Sequence, residues 1–309
     1  MSRIDLAAAA ALAALALASC RGGDAKPGVA VTDEAAWRKA LLEHRASTDA
    51  TMRSPTSPLA ALEYHILPPG APTYARLDGD AVRLSQAPTD DAAVAFRPSP
   101  PDGWRWEALA AGVTATLGDG SQAVAPGPVR QPTRIALGRY LLWAQDFPRG
   151  FVLMIYDPGA EALRQFTGVP YFEPDLRYAV SATLERFSDP AVIKLPTSIG
   201  LTRSFLRYGT LRFTIDGTPA QLTAYQPEGD PHALFVPFRD ATSGTSTYGA
   251  GRYLDLEEAP AAGERAIVVD FNRAYSPMCN FSPAFNCPIP PVENHLKVAI
   301  EAGQKTYSH

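Results

Sequence analysis

Residues 210–226 read TLRFTIDGTPAQLTAYQ. Two strand-like runs meet at Asp216-Gly217, a dipeptide suited to the left-handed backbone of a tight hairpin turn. Working outward, the same pattern recurs. Before it come ALEYHIL, TYARLDG, AVRLSQ, AAVAFRP, WRWEALA, VTATLGDG, TRIALGRYLLWAQDF and GFVLMIYD; after it come ALFVPFRD, GRYLDLEE and AIVVDFN. Each is a short apolar run bounded by turn residues, and LDGDAV (77–82) and GDG (118–120) are hairpin-like. No crossover helices separate the runs. Proline is 29 of 309 residues, against a usual share of about 5%. The fold class expected is mainly β, antiparallel sheets in a sandwich or barrel-like arrangement, with one N-terminal helix.

That helix is VTDEAAWRKALLEHRASTDATM (31–52). Thr32 is the expected N-cap, with Asp33 and Glu34 in the first turn, where they suit the helix dipole. Ala36, Trp37, Ala40, Leu41 and His44 form a stripe at helical spacing, which reads as a core face. Pro55 and Pro58 stop the helix. The organisation expected is 32–155, the helix with a small β domain, then 156–309, a C-terminal β domain. No linker marks the boundary. Residues 294–305, NHLKVAIEAGQK, suit a final strand and turn.

The chain begins MSRIDLAAAAALAALALASCRGGD. Its apolar run, Leu6–Ala18, is shorter than the ~20 residues a membrane-spanning helix needs. It fits the core of a secretory leader. Leu17-Ala18-Ser19-Cys20 resembles a bacterial lipobox, in which the cysteine is lipidated and becomes the mature N-terminus. Residues 1–19 are then a lipoprotein signal peptide and 20–31 a tether. Several acyl chains on Cys20 suffice for stable anchoring. Arg21, where an Asp would retain the protein at the inner membrane, points to the outer membrane, facing the periplasm. The formal charge is −4, which carries no electrostatic footprint for nucleic acid.

Residues 238–254, FRDATSGTSTYGAGRYL, hold five Ser or Thr, two Tyr, one Asp and two Arg. If 234–238, 251–257 and 266–272 form a three-strand meander, Asp240, Arg252, Asp270 and Asn272 gather at one sheet edge, where loops on a rigid scaffold build sites. A structural alternative has Asp240 capping the next turn, and Arg252 pairing with Asp240 or Asp270.

The following segment contains Cys279 and Cys287, eight apart, among five prolines that force an extended course. In an oxidising compartment the pair reads as a disulfide closing a short loop. A metal site would need further ligands, such as His295 and Asp270, in a spacing that matches no zinc template. A reactive thiol is the third reading. No cofactor or metal is expected.

FRDATSGTSTYGAGRYL, followed by VVDFNRAYSPMCNFSPAFNCPIPPVENHLKVAIEAGQK, resembles the C-terminal signature of the domain of unknown function 1684 family. FTGVPYFEPDLRYAV (166–180) resembles its middle segment, and WRKALLEHR with 57–59 its start. The resemblance implies a shared fold and polar constellation, without an activity. Matching positions are Asp240, Thr242, Ser243, Gly244, Thr247, Tyr248, Gly251, Arg252, Asp270, Asn272, Cys279, Cys287, Pro291 and Asn294. Gln304 stands where the pattern has Glu, so an acid/base role for that residue is absent. Arg177-Tyr178 reverses the family's order.

Three functions are compatible with these residues. In a ligand-binding lipoprotein, Asp240, Arg252 and Asn272 orient a small polar molecule between Tyr248 and Phe271. In a hydrolase, Asp270 or Asp240 is the base and Ser243 or Thr242 the nucleophile, although no G-x-S-x-G, H-E-x-x-H or S-x-x-K motif is present. In a structural or partner-binding envelope protein, the signature locks the C-terminal wrap onto the sheet.

Overall fold

The structure is a computed structural model that describes residues 31–147, 150–230, 232–257 and 265–308. The leader, Cys20 and the tether, at residues 1–30, lie outside the described residues.

The apolar runs of the first half form β1 (Ala61–Ile66), β2 (Thr73–Asp78), β3 (Ala81–Ser85), β4 (Val94–Pro98), β5 (Trp104–Ala108), β6 (Thr114–Leu117), β7 (Gly127–Pro128), β8 (Thr133–Leu137), β9 (Tyr140–Phe147) and β10 (Gly150–Tyr156). They make two sheets, ordered β1-β10-β9-β8-β6 and β3-β2-β4-β5-β7. One core lies between them, built on Phe96, Trp104, Trp106, Ile135 and Phe151. Strand alternation turns Trp104 and Trp106 inward and Arg105 outward.

The second half contributes β11 (Ala179–Arg186), β12 (Val192–Pro196), β13 (Thr202–Ile215), β14 (Thr218–Pro227), β15 (Ala233–Phe238), β16 (Arg252–Glu257) and β17 (Arg265–Asp270). Their order is β16-β15-β14-β13-β11-β17, with β12 also on β13. All pairings between these named strands are antiparallel. The fold is therefore mainly β and antiparallel. At the β13–β14 hairpin, Asp216 and Gly217 have φ of 47° and 75°, the left-handed pair that such a turn requires.

The expected meander does not form. β16 pairs with β15, but β17 lies at the opposite edge, beside β11. Sequence neighbours pair only as a tendency, and here the free edge of β16 is used by the chain leaving β17. Tyr253 and Tyr275 exchange backbone hydrogen bonds of 2.8 and 3.0 Å. That contact draws the two edges of the sheet together into a half-barrel.

A bulge in β13 between Arg207 and Gly209 changes which face its side chains occupy. Beyond it, Leu211 and Phe213 join a core with Leu222, Val236, Phe238 and Leu254. Before it, Phe205 joins Tyr225, Phe235 and Tyr253 on the other face. Residue 209 is glycine because a Cβ there would stand 2.5 Å from the Glu185 carbonyl oxygen. The first core is sealed by Phe271, Ile300 and Ala302 from the C-terminal segment. That segment is not the final strand expected from 294–305. It runs beside residues 239–241, with Leu296 N–H on Arg239 O at 2.7 Å and Ala241 N–H on Val298 O at 3.0 Å. Its partner is a turning loop, which offers no continuous ladder.

Helix α1 (Glu34–Met52) is capped by Asp33 rather than Thr32. The Asp33 carboxylate accepts the Ala36 amide at 2.9 Å, the reach of a side chain three residues upstream. Its buried side carries Leu41 and Met52, with Trp37 and Arg45 half-buried, while Ala36, Ala40 and His44 are exposed. α1 lies against segments of the second half. Asp49 accepts from Val169 N–H at 3.0 Å, Arg45 donates to Phe172 O at 3.0 Å, and Met52 packs with Phe166 and Phe281.

Tyr156 is buried in β10, and burial pushes its phenol up to about 12. The unfolded phenol ionises near pH 10. The neutral form therefore favours the folded state fully below about pH 10, and this stability is lost as pH rises towards 12. Unfolding free energies from urea titration should fall over that window by about 1.4 kcal/mol per pH unit for this group. Tyr156→Phe should remove that part of the slope; an unchanged slope would contradict the assignment.

Candidate functional site

β15 ends at Phe238 and β16 begins at Arg252, so the antiparallel pair brings the loop's two ends together. Asp240 and Arg252 meet there with side chains 0% exposed, at 2.7 Å. The other Asp240 oxygen accepts from the Thr242 amide at 2.6 Å and from its hydroxyl. Thr242 and Thr247 hydroxyls are 2.9 Å apart, and Ser243 Oγ accepts the Asp240 amide at 3.1 Å. These bonds close the loop on itself. The Arg252 guanidinium then reaches the C-terminal segment, donating to Ile300 O at 2.8 Å, Gln304 O at 3.3 Å and Ala302 O. It also lies over the Phe238 ring, 5.3 Å from the centroid. Burial weakens the guanidinium's hold on its proton, and the Asp240 charge opposes that loss. Gly251, at φ 106°, keeps the approach open, since a Cβ there would meet Phe238 O at 2.5 Å.

Asp270 and Asn272 form a second knot where β17 ends. Asp270 Oδ1 accepts from the Asn272 amide and side chain at 3.0 and 2.9 Å, while Oδ2 accepts Trp37 Nε1–H at 2.8 Å. Asn272 exchanges bonds of 2.9 and 2.8 Å with the Asp175 backbone. Asn294 makes a third tie. It takes the Thr223 amide at 2.7 Å and donates to Thr223 O and Pro237 O at 2.9 and 2.8 Å. β14 and β15 are in register only at Tyr225 and Phe235, so the Asn294 amide fills the gap between them. Tyr248 is half-buried on the loop, and burial raises its phenol pKa. Asp240, Thr242, Ser243, Tyr248, Arg252, Asp270, Asn272 and Asn294 all lie away from the cleft on the opposite face of the sheet. Asp270 and Arg252 belong to separate networks.

The opposite face of the sheet is different. Phe205 and Phe235 stack at 5.3 Å between centroids, Tyr253 meets Phe235 edge-on at 4.7 Å, and Tyr275 meets Tyr253 at 5.7 Å. Facing this wall is the loop closed by Cys279 and Cys287, which are disulfide-bonded at 2.14 Å. Phe285 of that loop and the flanking Pro277, Met278 and Pro288 complete a cleft of about 310 Å³. The Tyr253 hydroxyl donates to Pro288 O and the Tyr275 hydroxyl to Asp255 at 2.8 Å. Both rings are thereby fixed. Arg203 lines the cleft with its guanidinium 6.0 Å from the Phe205 ring. It takes part in none of the ion pairs among the described residues. No group of three or more His, Cys, Asp or Glu that could hold a metal occurs among the described residues.

The family model described as "Protein of unknown function (DUF1684)" matches residues 164–305. The chain belongs to the DUF1684 family. A solved relative, the solution NMR structure of an uncharacterized protein from Haloarcula marismortui, is 41% identical over 47% of this chain and 80% of that one, with a TM-score of 0.41. Comparison with curated proteins finds no match. The DUF1684 match starts at residue 164, so α1 and residues 57–59 lie outside it. Within it, Gln304 is buried, accepting the Ser276 amide at 2.9 Å and donating to the Tyr171 hydroxyl at 3.4 Å. Tyr178 is buried and Arg177 pairs with Asp175 at 2.7 Å. The sequence reading did not single out Phe205, Phe235, Tyr253 or Tyr275 as a site. Their signal was aromatic residues on neighbouring strands, two of them inside the signature.

Breaking a buried ion pair from one side leaves an uncompensated charge and costs about 3–5 kcal/mol. Asp240→Asn and Arg252→Met should each lose stability on that scale in chemical denaturation. Asp240→Leu with Arg252→Met should lose clearly less than the sum; strict additivity would show that the two side chains are not coupled.

Proposed function

We propose that this chain is a lipid-anchored, non-catalytic binding protein of the bacterial cell envelope. Cys20 holds it at the outer membrane with its body in the periplasm, and a small ligand occupies the aromatic cleft. The observation that carries this reading is how one family signature divides. Its polar residues turn inward and bond to one another and to backbone, whereas Tyr253, Tyr275, Pro277, Cys287 and Pro288 line an open cleft. Pockets that take small molecules are typically apolar and aromatic with few polar groups. The hydrolase reading is less well supported. A general base must reach a substrate proton, but both oxygens of Asp240 and of Asp270 already accept bonds from within the protein. The structural reading accounts for the polar residues and is compatible with binding at the cleft.

Two measurements test this. Labelling with a radioactive fatty acid, followed by detergent phase separation, should place wild type in the detergent phase and Cys20→Ser, unlabelled, in the aqueous phase. Equal partitioning of the two would refute the anchor. For the cleft, fluorine NMR of 3-fluorotyrosine protein should show the Tyr253 and Tyr275 signals move on adding small-molecule extract of the host cells, and the Tyr74 and Tyr140 signals stay. Immobile Tyr253 and Tyr275 signals would sink the binding reading.

A further inference from the structure

We infer that the ligand of this cleft is a compact planar ring compound bearing one acidic group, with its ring against the aromatic wall and its acid on Arg203. The inference rests on the binding reading above and narrows it to a chemical class. Size comes first. A cleft of about 310 Å³ lies at the lower end of the ~300–1,000 Å³ usual for ligand sites. It suits one ring or two fused rings, not an extended chain.

The surfaces decide what kind of ring. One side is the row Phe205, Phe235, Tyr253 and Tyr275, and the other holds proline rings, Met278 and Phe285. Such walls favour a flat, polarisable guest that can stack or meet ring edges. The two tyrosine hydroxyls are already committed to Pro288 O and Asp255, so these residues offer ring surface rather than hydrogen bonds. A sugar, which needs several directed hydrogen bonds, finds few partners here.

Charge decides the rest. An aromatic row could also hold a quaternary ammonium, but the charged residue lining the cleft is Arg203, a cation. Arg203 is exposed and has no ion-pair partner among the described residues, so its planar fork of donors is free for a carboxylate. Arg207, four residues along the same strand, is by contrast paired with Glu293 at 3.2 Å.

The test uses three probes on the full chain in a mild detergent: 4-hydroxyphenylacetate, its neutral amide, and cyclohexylacetate. Binding is read by titration calorimetry and by the fluorine signals of Tyr253 and Tyr275. The aromatic acid should bind; the amide, which loses a charge-assisted bond, and the saturated acid, which loses the aromatic ring contact, should each bind about tenfold more weakly. Arg203→Met should bring the acid down to the amide's affinity, and Arg203→Lys should recover part of the difference. Arg203 is exposed, so unchanged fluorine signals in the free variants confirm that the cleft itself is intact. Equal binding of acid and amide, equal binding by Arg203→Met, or no response to any probe would overturn the inference. If host extract still moves the tyrosine signals after such a result, only the ligand class is wrong; if it does not, the binding reading falls as well.

Discussion

Arg252 donates to Asp240 and to three carbonyls of the C-terminal segment with no exposure to water. A guanidinium is expensive to bury, and it is retained only where geometry supplies nearly every hydrogen bond it needs. Here that supply comes from pieces far apart in sequence, Asp240 in the loop after β15 and the carbonyls of residues 300–304. None of these can move without leaving a charge unpaired. The segment so held carries Ile300 and Ala302 into the main core beside Phe271. The apolar closure of the half-barrel and its polar lock are thus one arrangement.

Strand periodicity carries this constraint to the other face. Arg252 and Leu254 point to the core, so Tyr253 between them must point away, into the aromatic wall. β15 repeats the pattern, with Val236 and Phe238 inward and Phe235 outward. The backbone bonds between Tyr253 and Tyr275 tie the disulfide-closed loop to the same strand. The cleft therefore takes its shape from residues whose neighbours in sequence are fixed by the lock.

Much of this was legible in the residues because it is local. The Asp216-Gly217 turn, the alternation of Trp104 and Trp106, and the two-residue spacing of Asp270 and Asn272 need only their own segment. The capping error at α1 was also local: Thr32 and Asp33 are both good caps, and only the position of Ala36 N–H decides between them. The place of β17 was not legible. It depends on which edge of the sheet its apolar side chains can join, and that is settled by packing across the whole half-barrel. The aromatic wall was hidden for a related reason. The bulge before Gly209 reverses the facing of β13, so an unbroken alternation would put Phe205 on the same side as Leu211 and Phe213.

The same physics explains why this signature reads as a catalytic site. Buried backbone ends and loop crossings leave donors and acceptors that must be paired, and Asp, Asn, Thr and Arg are the side chains that can pair them. Catalysis draws on those residue types as well, so the composition of FRDATSGTSTYGAGRYL cannot separate the two uses. Accessibility can. Asn294 and Arg252 are wholly buried, and Gln304 bonds through its amide to Ser276 and Tyr171. The chemistry open to solvent lies instead on the reverse of the same strands, where the side chains are rings and the available charge is that of Arg203.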